Sequence, residues 1–192
     1  EAVTSTIITS GNSGLMYISN EGNFQFGNAA ISLYDKVSKN ITEDYYKQVN
    51  QVPLGDVCQS MCYFNNKFYI VVNNSSKVVV VNAATFKIEA TISGFNSPRY
   101  ILPVSNSKAY VSDLYDNRLA IVNLSTNSIS GYIPAVAGTE QLKMVYGKVF
   151  VSSLFTDKIY VINAMTDMLT DSIALAYSPN SICEDKNGLL WV

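Results

Sequence analysis

The stretches NKFYIVV (66–72), SKAYVSD (107–113), GKVFVSS (147–153) and GLLWV (188–192) repeat one pattern at spacings of 41, 40 and 41 residues. A second pattern follows at the same period and reads KVVVVNAAT (77–85), RLAIVNLST (118–126) and KIYVINAMT (158–166). A third set places Ile92, Ile133 and Ile173 in register. Four short strands in each unit of about 40 residues are typical of the blades of a β-propeller.

Residue types within each unit favour strands over helices. Val, Ile, Tyr and Phe alternate or run together over four to six residues and then stop at Asn, Asp, Ser, Gly or Pro, which suit turns. The one helical candidate, ITEDYYKQV (41–49), is short and lies in an insertion, so we expect almost no helix. The Asn-Ala-x-Thr element, Asn-Leu-Ser-Thr in one unit, predicts a tight turn whose polar side chains bind nearby backbone.

The repeat predicts an all-β fold with antiparallel four-stranded blades in a single propeller domain over residues 1–192. GLMYIS (14–19) matches the first pattern, which makes TSTII (4–8) the predicted inner strand of the first blade. Because four and a half blades are unsuited to closing a ring, we predict a fragment of a six- to eight-bladed propeller. The alternative is that the last half blade pairs with the first. Predicted blade boundaries are about 6–54, 55–96, 97–137 and 138–177, with a partial blade at 178–192.

Charge and composition narrow the class of partner. With 13 basic and 15 acidic residues, the net charge of −2 gives no electrostatic footprint for nucleic acid or an anionic membrane. No apolar segment is long enough for a membrane span. The absence of His removes Ser-His-Asp catalysis and His-ligated zinc within these residues. We therefore predict a protein that is not an enzyme, with no cofactor and no metal site.

Other reactive residues have simpler structural interpretations. The pairs Asp113 with Asp116 and Glu43 with Asp44 lie in polar or inserted stretches, where solvated carboxylates are the rule. Cys58, Cys62 and Cys183 lie in or beside predicted inner strands, which favours small buried thiols over a disulfide or a metal site.

The predicted ligand site is the end of the propeller where two sets of loops converge. One set precedes the inner strands, the other joins the second and third strands, and the first blade adds the long loop NEGNFQFGN (20–28). Amides, one Arg, carboxylates and aromatic rings around a concave mouth would suit a polar ligand with flat faces. The alternative is that these residues only cap strands. The candidates are Asn23, Phe24, Gln59, Asn74, Arg99, Tyr100, Asp113, Tyr115, Glu140, Gln141, Phe155 and Asn180.

Six stretches carry a family resemblance: NEGNFQFGNAAISLYD, PLGDVCQSM, YIVVNNSSKVVVVN, ISGFNSPRYI, KAYVSDLYDNRLAIVN and GTEQL. They resemble the surface-layer, YncE-like propeller lipoproteins of Bacteroidetes. The resemblance implies a seven-bladed propeller, exported to the cell surface and tethered to the outer membrane by a lipidated Cys upstream of Glu1. Some relatives capture cobalamin above a TonB-dependent outer-membrane transporter, and others have no known ligand.

Three functional hypotheses follow. The first is capture of cobalamin or a related corrinoid for such a transporter, and it predicts that Tyr115, Phe155 and Arg99 share one pocket. The second is a surface module that binds a glycan or a protein, and it predicts a flatter aromatic platform or an exposed apolar patch. The third, an enzyme at the channel mouth, requires a desolvated carboxylate or nucleophile and is disfavoured by the missing His.

Overall fold

Short strands dominate the computed structural model of the chain, which describes residues 7–9 and 14–192. Residues 4–6 of the predicted first strand lie outside the described residues. The strands form four-stranded antiparallel sheets, which confirms the predicted all-β propeller fold. The sheets are numbered as blades 1 to 4 in chain order. The chain forms two compact units, Glu1–Gly94 and Phe95–Val192.

The first unit holds blades 1 and 2, with strand orders β1-β2-β3-β4 and β5-β6-β7-β8. The turn between β5 and β6 has positive φ at Asn65 and Asn66, 47° and 59°, as a two-residue hairpin turn requires. The elements of this unit are β1 (Ile7–Thr9), β2 (Leu15–Asn20), β3 (Ala30–Asp35), β4 (Ile41–Thr42), α1 (Tyr45–Asn50), β5 (Cys58–Phe64), β6 (Lys67–Val72), a 3₁₀ turn (Asn73–Ser75), β7 (Lys77–Asn82) and β8 (Ile88–Ser93).

Aromatic rings join blades 1 and 2. The ring of Tyr17 on β2 stacks on that of Phe86, in the turn between β7 and β8, with centroids 4.9 Å apart. Phe68 on β6 packs against Tyr17 at 4.6 Å and is fully buried. Buried rings of this size contribute large apolar areas, so this cluster forms much of the core of the unit.

The α1 helix lies in the one stretch for which the sequence offers a helical candidate, so the prediction of almost no helix is confirmed. Tyr46 is its buried side chain. The Asn50 amide holds the helix to blade 2, because its Nδ2 donates to the Phe86 carbonyl at 3.0 Å and its Oδ1 accepts the Ile88 N–H at 2.9 Å. Among the described residues, no helix has the length and apolar character needed to cross a membrane.

The second unit holds blades 3 and 4 and a two-stranded sheet, with orders β12-β11-β10-β9, β13-β14-β15-β16 and β17-β18. Its core packs Tyr110, Leu119 and Ile133 of blade 3 with Val149 and Val151 of blade 4. The strands are β9 (Pro98–Pro103), β10 (Lys108–Asp113), β11 (Arg118–Asn123), β12 (Ser128–Pro134), β13 (Thr139–Val145), β14 (Lys148–Ser153), β15 (Lys158–Asn163), β16 (Met168–Ala174), β17 (Cys183–Glu184) and β18 (Leu190–Trp191).

The repeated Asn-Ala-x-Thr element forms the predicted side-chain-stabilised turn. The side-chain oxygens of Asn82, Asn123 and Asn163 each accept the backbone N–H groups of the residues two and three places later. Such turns offer the chain a local alternative to continued strand pairing, so they end the third strand of blades 2, 3 and 4.

The three cysteines are free thiols in different environments. Cys58 is fully buried on β5, and burial raises the pKa of its thiol to about 12. Cys62 is partly buried, and Cys183 on β17 is exposed. The prediction of a buried thiol is therefore wrong for Cys183, because the two-stranded sheet leaves its side chain uncovered.

Candidate functional site

In the first unit, the long loop of residues 20–28 is held to Asp56. One oxygen of this carboxylate, Oδ2, accepts the Gln25 N–H at 2.9 Å and the Asn74 Nδ2 group at 2.6 Å. Within the loop, the Asn23 N–H donates to the Asn28 side-chain oxygen at 2.8 Å. The predicted site residues Asn23 and Asn74 thus take part in shaping this loop.

Two further candidates of the first unit lie in contrasting surroundings. Phe24 at the tip of the loop is 61% exposed. Gln59, by contrast, is buried on β5. Only Phe24 of this pair presents its side chain to a ligand at the surface of the unit.

In the second unit, Arg99 and Glu140 form an ion pair between the inner strands β9 and β13. The Arg99 Nε donates to Glu140 Oε1 at 2.6 Å, with the two side chains 18% and 1% exposed. They occupy the same position in consecutive repeats, 41 residues apart, and equivalent positions on neighbouring inner strands lie side by side. The pair is thus a product of the repeat.

Burial raises the pKa of the Glu140 carboxyl above its usual value, and the Arg99 guanidinium offsets this effect only in part. The folded protein therefore holds a proton on Glu140 more firmly than the unfolded chain does. As the pH falls from 7 toward 4.5, the ordinary pKa of a Glu carboxyl, protonation of Glu140 increasingly stabilises the folded protein. As the pH rises again, this stabilisation is lost. We expect the thermal midpoint of the protein, relative to Glu140→Gln, to rise between pH 7 and pH 4.5.

Glu89→Gln provides a control for which the pH dependence of the relative thermal midpoint should have the opposite sign. The Asn82 amide and the Lys67 ammonium lower the pKa of Glu89, so the protein should lose stability relative to this variant as pH falls below 4.5. Calorimetric scans at a series of pH values test both variants. The raised pKa of Glu140 would be contradicted if the thermal midpoint of the protein, relative to that of Glu140→Gln, were constant with pH or fell on acidification.

Gln141 and Asn180 connect blade 4 to the segment that leads into β17. The Gln141 Oε1 accepts the Ile182 N–H at 2.9 Å, and the carbonyl of Asn180 accepts the Ser152 hydroxyl at 3.1 Å. Asn180 is one of the residues that line a cavity of about 340 Å³, together with the rest of Leu175–Ser181 and Val192. Of these two predicted residues, Asn180 is therefore the one placed to meet a small ligand.

Tyr100 follows Arg99 on β9 and occupies the position of Gln141 in the repeat. The Tyr100 N–H donates to the Ser112 hydroxyl at 3.0 Å, as the Gln141 N–H does to the Ser152 hydroxyl at 3.1 Å. These bonds lie where the register between first and second strands is irregular, so the serines replace ladder bonds there.

The Asp113 carboxylate is engaged by the protein backbone. It is 3% exposed and accepts four backbone N–H groups from two loops at 2.9–3.2 Å. A carboxylate with this many donors is a rigid anchor, so Asp113 positions the neighbouring Tyr115 and does not itself offer a contact to a ligand. The donors are Asn96, Ser97, Tyr115 and Asp116.

Three exposed aromatic side chains stand at the same end of the second unit: Tyr115, Phe155 and Tyr177, which we call the aromatic rim. They are 67%, 58% and 85% exposed. Tyr115 lies between β10 and β11, Phe155 between β14 and β15, and Tyr177 between β16 and β17. Loops of these two kinds open at one end of an up-and-down antiparallel sheet, which brings the three rings to one surface.

Direct contacts link the loops of the aromatic rim. The Gly138 N–H donates to the Leu114 carbonyl at 2.8 Å, and the Ser178 hydroxyl donates to Asp157 Oδ1 at 3.0 Å. The Phe155 ring lies directly over Gly138, where a Cβ atom would come within 2.7 Å of it. The backbone beneath the rings is therefore held in place before any ligand binds.

Sequence reasoning missed Tyr177 as a site residue. The signal was available, because Tyr177 stands immediately before SPNSI (178–182), one of the turns that lead into an inner strand. An aromatic residue at that place faces the same surface as Tyr115 and Phe155.

A second cavity, of about 390 Å³, lies at the opposite end of blade 4 and is lined by Val104, Met144, Tyr146–Lys148 and Asn163–Met165. Neither this cavity nor the one beside Asn180 is lined by Tyr115, Phe155 or Arg99. Tyr115 and Phe155 are thus exposed outside both cavities, whereas Tyr177 lines the cavity beside Asn180. Within residues 7–9 and 14–192, no three His, Cys, Asp or Glu side chains gather as a metal-binding group.

Comparison with known proteins gives a family and a fold. The model of a family described as Domain of unknown function (DUF5074) matches residues 14–192. No curated protein matches the chain.

Several solved structures share the fold at low sequence identity. Hydrazine synthase of Kuenenia stuttgartiensis is 14% identical with a TM-score of 0.75, and the match covers 95% of this chain and 52% of that one. The WD40 beta propeller domain of Doa1 is 13% identical with a TM-score of 0.69, over 92% and 56% of the two chains. Apo AztD from Citrobacter koseri is 15% identical with a TM-score of 0.60, over 88% and 46%. The chain thus spans about half the length of these proteins, and the likeness concerns the fold alone.

Proposed function

The chain belongs to the family described as Domain of unknown function (DUF5074), and we propose that it is a non-catalytic module that binds a ligand on its aromatic rim. The observation that carries this proposal is the exposure of Tyr115, Phe155 and Tyr177 on three linked loops at one end of the second unit. Exposed rings on a fixed backbone offer contact area at little cost in ordering, which is how many binding surfaces gain affinity.

The ligand class that best suits this surface is a glycan. A platform without an enclosing pocket can stack several sugar rings in a row, while the amide and hydroxyl groups around Asn180 bind sugar hydroxyls. The exposure of Tyr115 and Phe155 outside the two cavities supports the glycan or protein hypothesis. In keeping with the resemblance to surface-layer lipoproteins, we propose that binding takes place at the cell surface, on an exported protein.

A corrinoid is the second candidate. The cavity lined by Leu175–Ser181 offers hydroxyl and amide groups to the amide side chains of a corrin, and the partly exposed Arg99 suits a phosphate group. Capture of cobalamin for an outer-membrane transporter would follow from this binding and from the resemblance to surface propeller lipoproteins. The separate roles of Arg99 and of the aromatic rim distinguish the two ligands.

Calorimetric titration tests the proposal, with cyanocobalamin in one series and a set of soluble bacterial and host oligosaccharides in another. For a glycan, we expect Tyr115→Ala or Phe155→Ala to weaken binding about fivefold, since loss of one stacking ring removes about 1 kcal/mol. For a corrinoid, Arg99→Ala should weaken binding at least as much. Tyr146→Ala removes an aromatic side chain that is 92% exposed at the opposite end of blade 4, and it should leave either affinity unchanged.

The outcomes separate the hypotheses. Oligosaccharide binding lost with Tyr115→Ala supports the glycan module, and cyanocobalamin binding lost with Arg99→Ala supports corrinoid capture. Binding that survives Tyr115→Ala, Phe155→Ala and Arg99→Ala, or is lost only with Tyr146→Ala, would overturn the placement of the site. The absence of heat with every ligand at micromolar concentration would contradict the small-ligand proposal and favour a protein partner.

A further inference from the structure

The cavity of about 390 Å³ at the end of blade 4 opposite the aromatic rim lies where three turns of the second unit meet. Val104 lies between β9 and β10, Tyr146 and Gly147 lie between β13 and β14, and Met165 lies between β15 and β16. Binding sites for small molecules have volumes of about 300 to 1,000 Å³, so this cavity has room for one compact ligand. Its lining shares no residue with the aromatic rim.

The lining of this cavity is mostly apolar. Val104, Met144 and Ala164 pack against the hydrophobic core shared by blades 3 and 4. At the edge of the cavity stand Tyr146 and Met165, which are 92% and 89% exposed. Among the described residues these are the two most exposed of the large apolar side chains. Uncovered apolar groups beside an apolar wall are typical of a surface that a ligand covers.

Tyr146 occupies a backbone position that does not suit it. The equivalent residues of blades 2 and 3 are Asn65 and Asn106. Asn65 and Tyr146 both lie in the left-handed region, with φ of 47° and 48°. Asn adopts this conformation at little cost, whereas a bulky aromatic residue is strained there. The strain brings no burial of the ring, so stability does not explain the aromatic residue, and such outliers are often found at functional sites.

Met165 departs from the repeat in the same way. It lies in the Asn-Ala-x-Thr turn, where the equivalent residues of blades 2 and 3 are Ala84 and Ser125. The turn itself needs only the side chain of Asn163, which accepts the Met165 N–H at 2.9 Å. Blade 4 therefore carries a large apolar residue at two positions beside one cavity where the other blades carry small or polar residues. Methionine is flexible and polarizable, and it makes favourable contacts with aromatic rings.

The charge around the cavity favours an anion. Lys148 lines the cavity and takes part in none of the ion pairs of the described residues. Lys108, the other ammonium group near this wall, is neutralised by Asp167 and donates to the Ala164 carbonyl at 2.9 Å. A single unpaired positive charge beside an apolar wall attracts an acidic ligand and disfavours a cationic one.

We propose that this cavity binds a small molecule with a flat apolar ring system and one acidic group, an aromatic carboxylate or sulfonate. The rings lie against Val104 and Met144 and are bordered by Tyr146 and Met165, while the acidic group pairs with Lys148. This second site is separate from the aromatic rim and takes a different class of ligand. Its existence does not depend on what the rim binds.

Fluorescence titration with two matched probes tests the ligand class. Anilinonaphthalene sulfonate carries the acidic group, and phenylnaphthylamine has the same rings without it. We expect saturable binding of one sulfonate probe per chain at this site, about fivefold tighter than binding of the neutral probe, because a partly exposed ion pair adds a modest gain. Lys148→Met should remove this preference and leave the affinity for the neutral probe unchanged. Equal affinities of the unaltered protein for both probes would overturn the assignment of an acidic ligand.

Substitutions taken from blade 2 test the place of binding. Tyr146→Asn and Met165→Ala should each weaken the binding of both probes about fivefold. Tyr146→Asn should also raise the thermal midpoint by about 3 °C, because Asn relieves the backbone strain. Weaker binding by this variant would then not reflect a loss of folding. Met168→Ala on β16, whose side chain is 62% exposed outside the cavity, and Tyr115→Ala on the aromatic rim are the controls and should change neither affinity.

Methyl NMR spectra of labelled methionines locate the probe without any substitution. The signals of Met144 and Met165 should shift on addition of the sulfonate probe, whereas those of Met168 and of Met61, buried in the first unit, should not. Binding that withstands both Tyr146→Asn and Met165→Ala, or that is lost with Tyr115→Ala, would overturn the proposal. So would a fall in the thermal midpoint of Tyr146→Asn, which would show that the ring serves stability.

Discussion

Replacement of Asp113 by alanine is expected to lower the free energy of unfolding by about 3–5 kcal/mol. The carboxylate is 3% exposed and accepts four backbone N–H groups, so its loss leaves several donors without a partner where water has little access. Urea denaturation followed by circular dichroism measures the change. Because two of these donors belong to Tyr115 and Asp116, the same variant should also weaken any ligand held on the aromatic rim.

Two matched variants define the role of the Asp113 carboxylate. Asp113→Asn keeps one acceptor oxygen, and we expect about half of the loss seen with alanine. Ser153 occupies the equivalent position in blade 4, where its hydroxyl accepts the Phe155 N–H at 3.2 Å and donates to the Ala137 carbonyl at 3.1 Å. Ser153→Ala should cost only about 1 kcal/mol. A cost for Asp113→Ala no greater than that for Ser153→Ala would show that the loops are anchored by other contacts.

The fold was predictable because the repeat is carried by short, local patterns. Val, Ile and aromatic runs define the strands, and the equivalent Asn82, Asn123 and Asn163 end the third strand of blades 2, 3 and 4 with the same side-chain turn. Such patterns depend on neighbours within a few residues, so they can be read from one sequence.

The environments of polar residues were harder to predict. Asp113 and Tyr115 are two residues apart in one polar stretch, yet the first is buried and the second is 67% exposed. The direction of each side chain depends on the loop of residues 95–97, which supplies two of the donors to Asp113. The ion pair of Arg99 and Glu140 carried a usable signal, namely opposite charges at one repeat position in consecutive blades.

Asp167→Ala is expected to destabilise the protein by about 2–3 kcal/mol. The substitution removes the partner of the Tyr110 hydroxyl, whose side chain is fully buried, and it unpairs the Lys108 ammonium at 2.5 Å. The charge contribution is modest, because Lys108 and Asp167 remain 23% and 30% exposed and water screens them. Most of the loss therefore comes from the buried hydroxyl. Denaturation by urea at pH 7 measures it.

Tyr110→Phe separates the two contributions, because it removes the hydroxyl and keeps the ring and the Lys108–Asp167 pair. In that background Asp167→Ala should cost no more than about 1 kcal/mol, the usual value of a partly exposed ion pair. An undiminished loss would place the stabilisation in the lysine pair instead. The distinction bears on both blade pairs, because the left-handed turn residue that meets the face of the preceding blade is Phe86 in blade 2 and Asp167 in blade 4. The packing of blade on blade is thus conserved in geometry while its chemistry changes from ring stacking to a buried hydrogen bond. An acidic residue at this turn position, with a lysine and a tyrosine on the preceding blade, is consequently a sequence signal for which blades are neighbours.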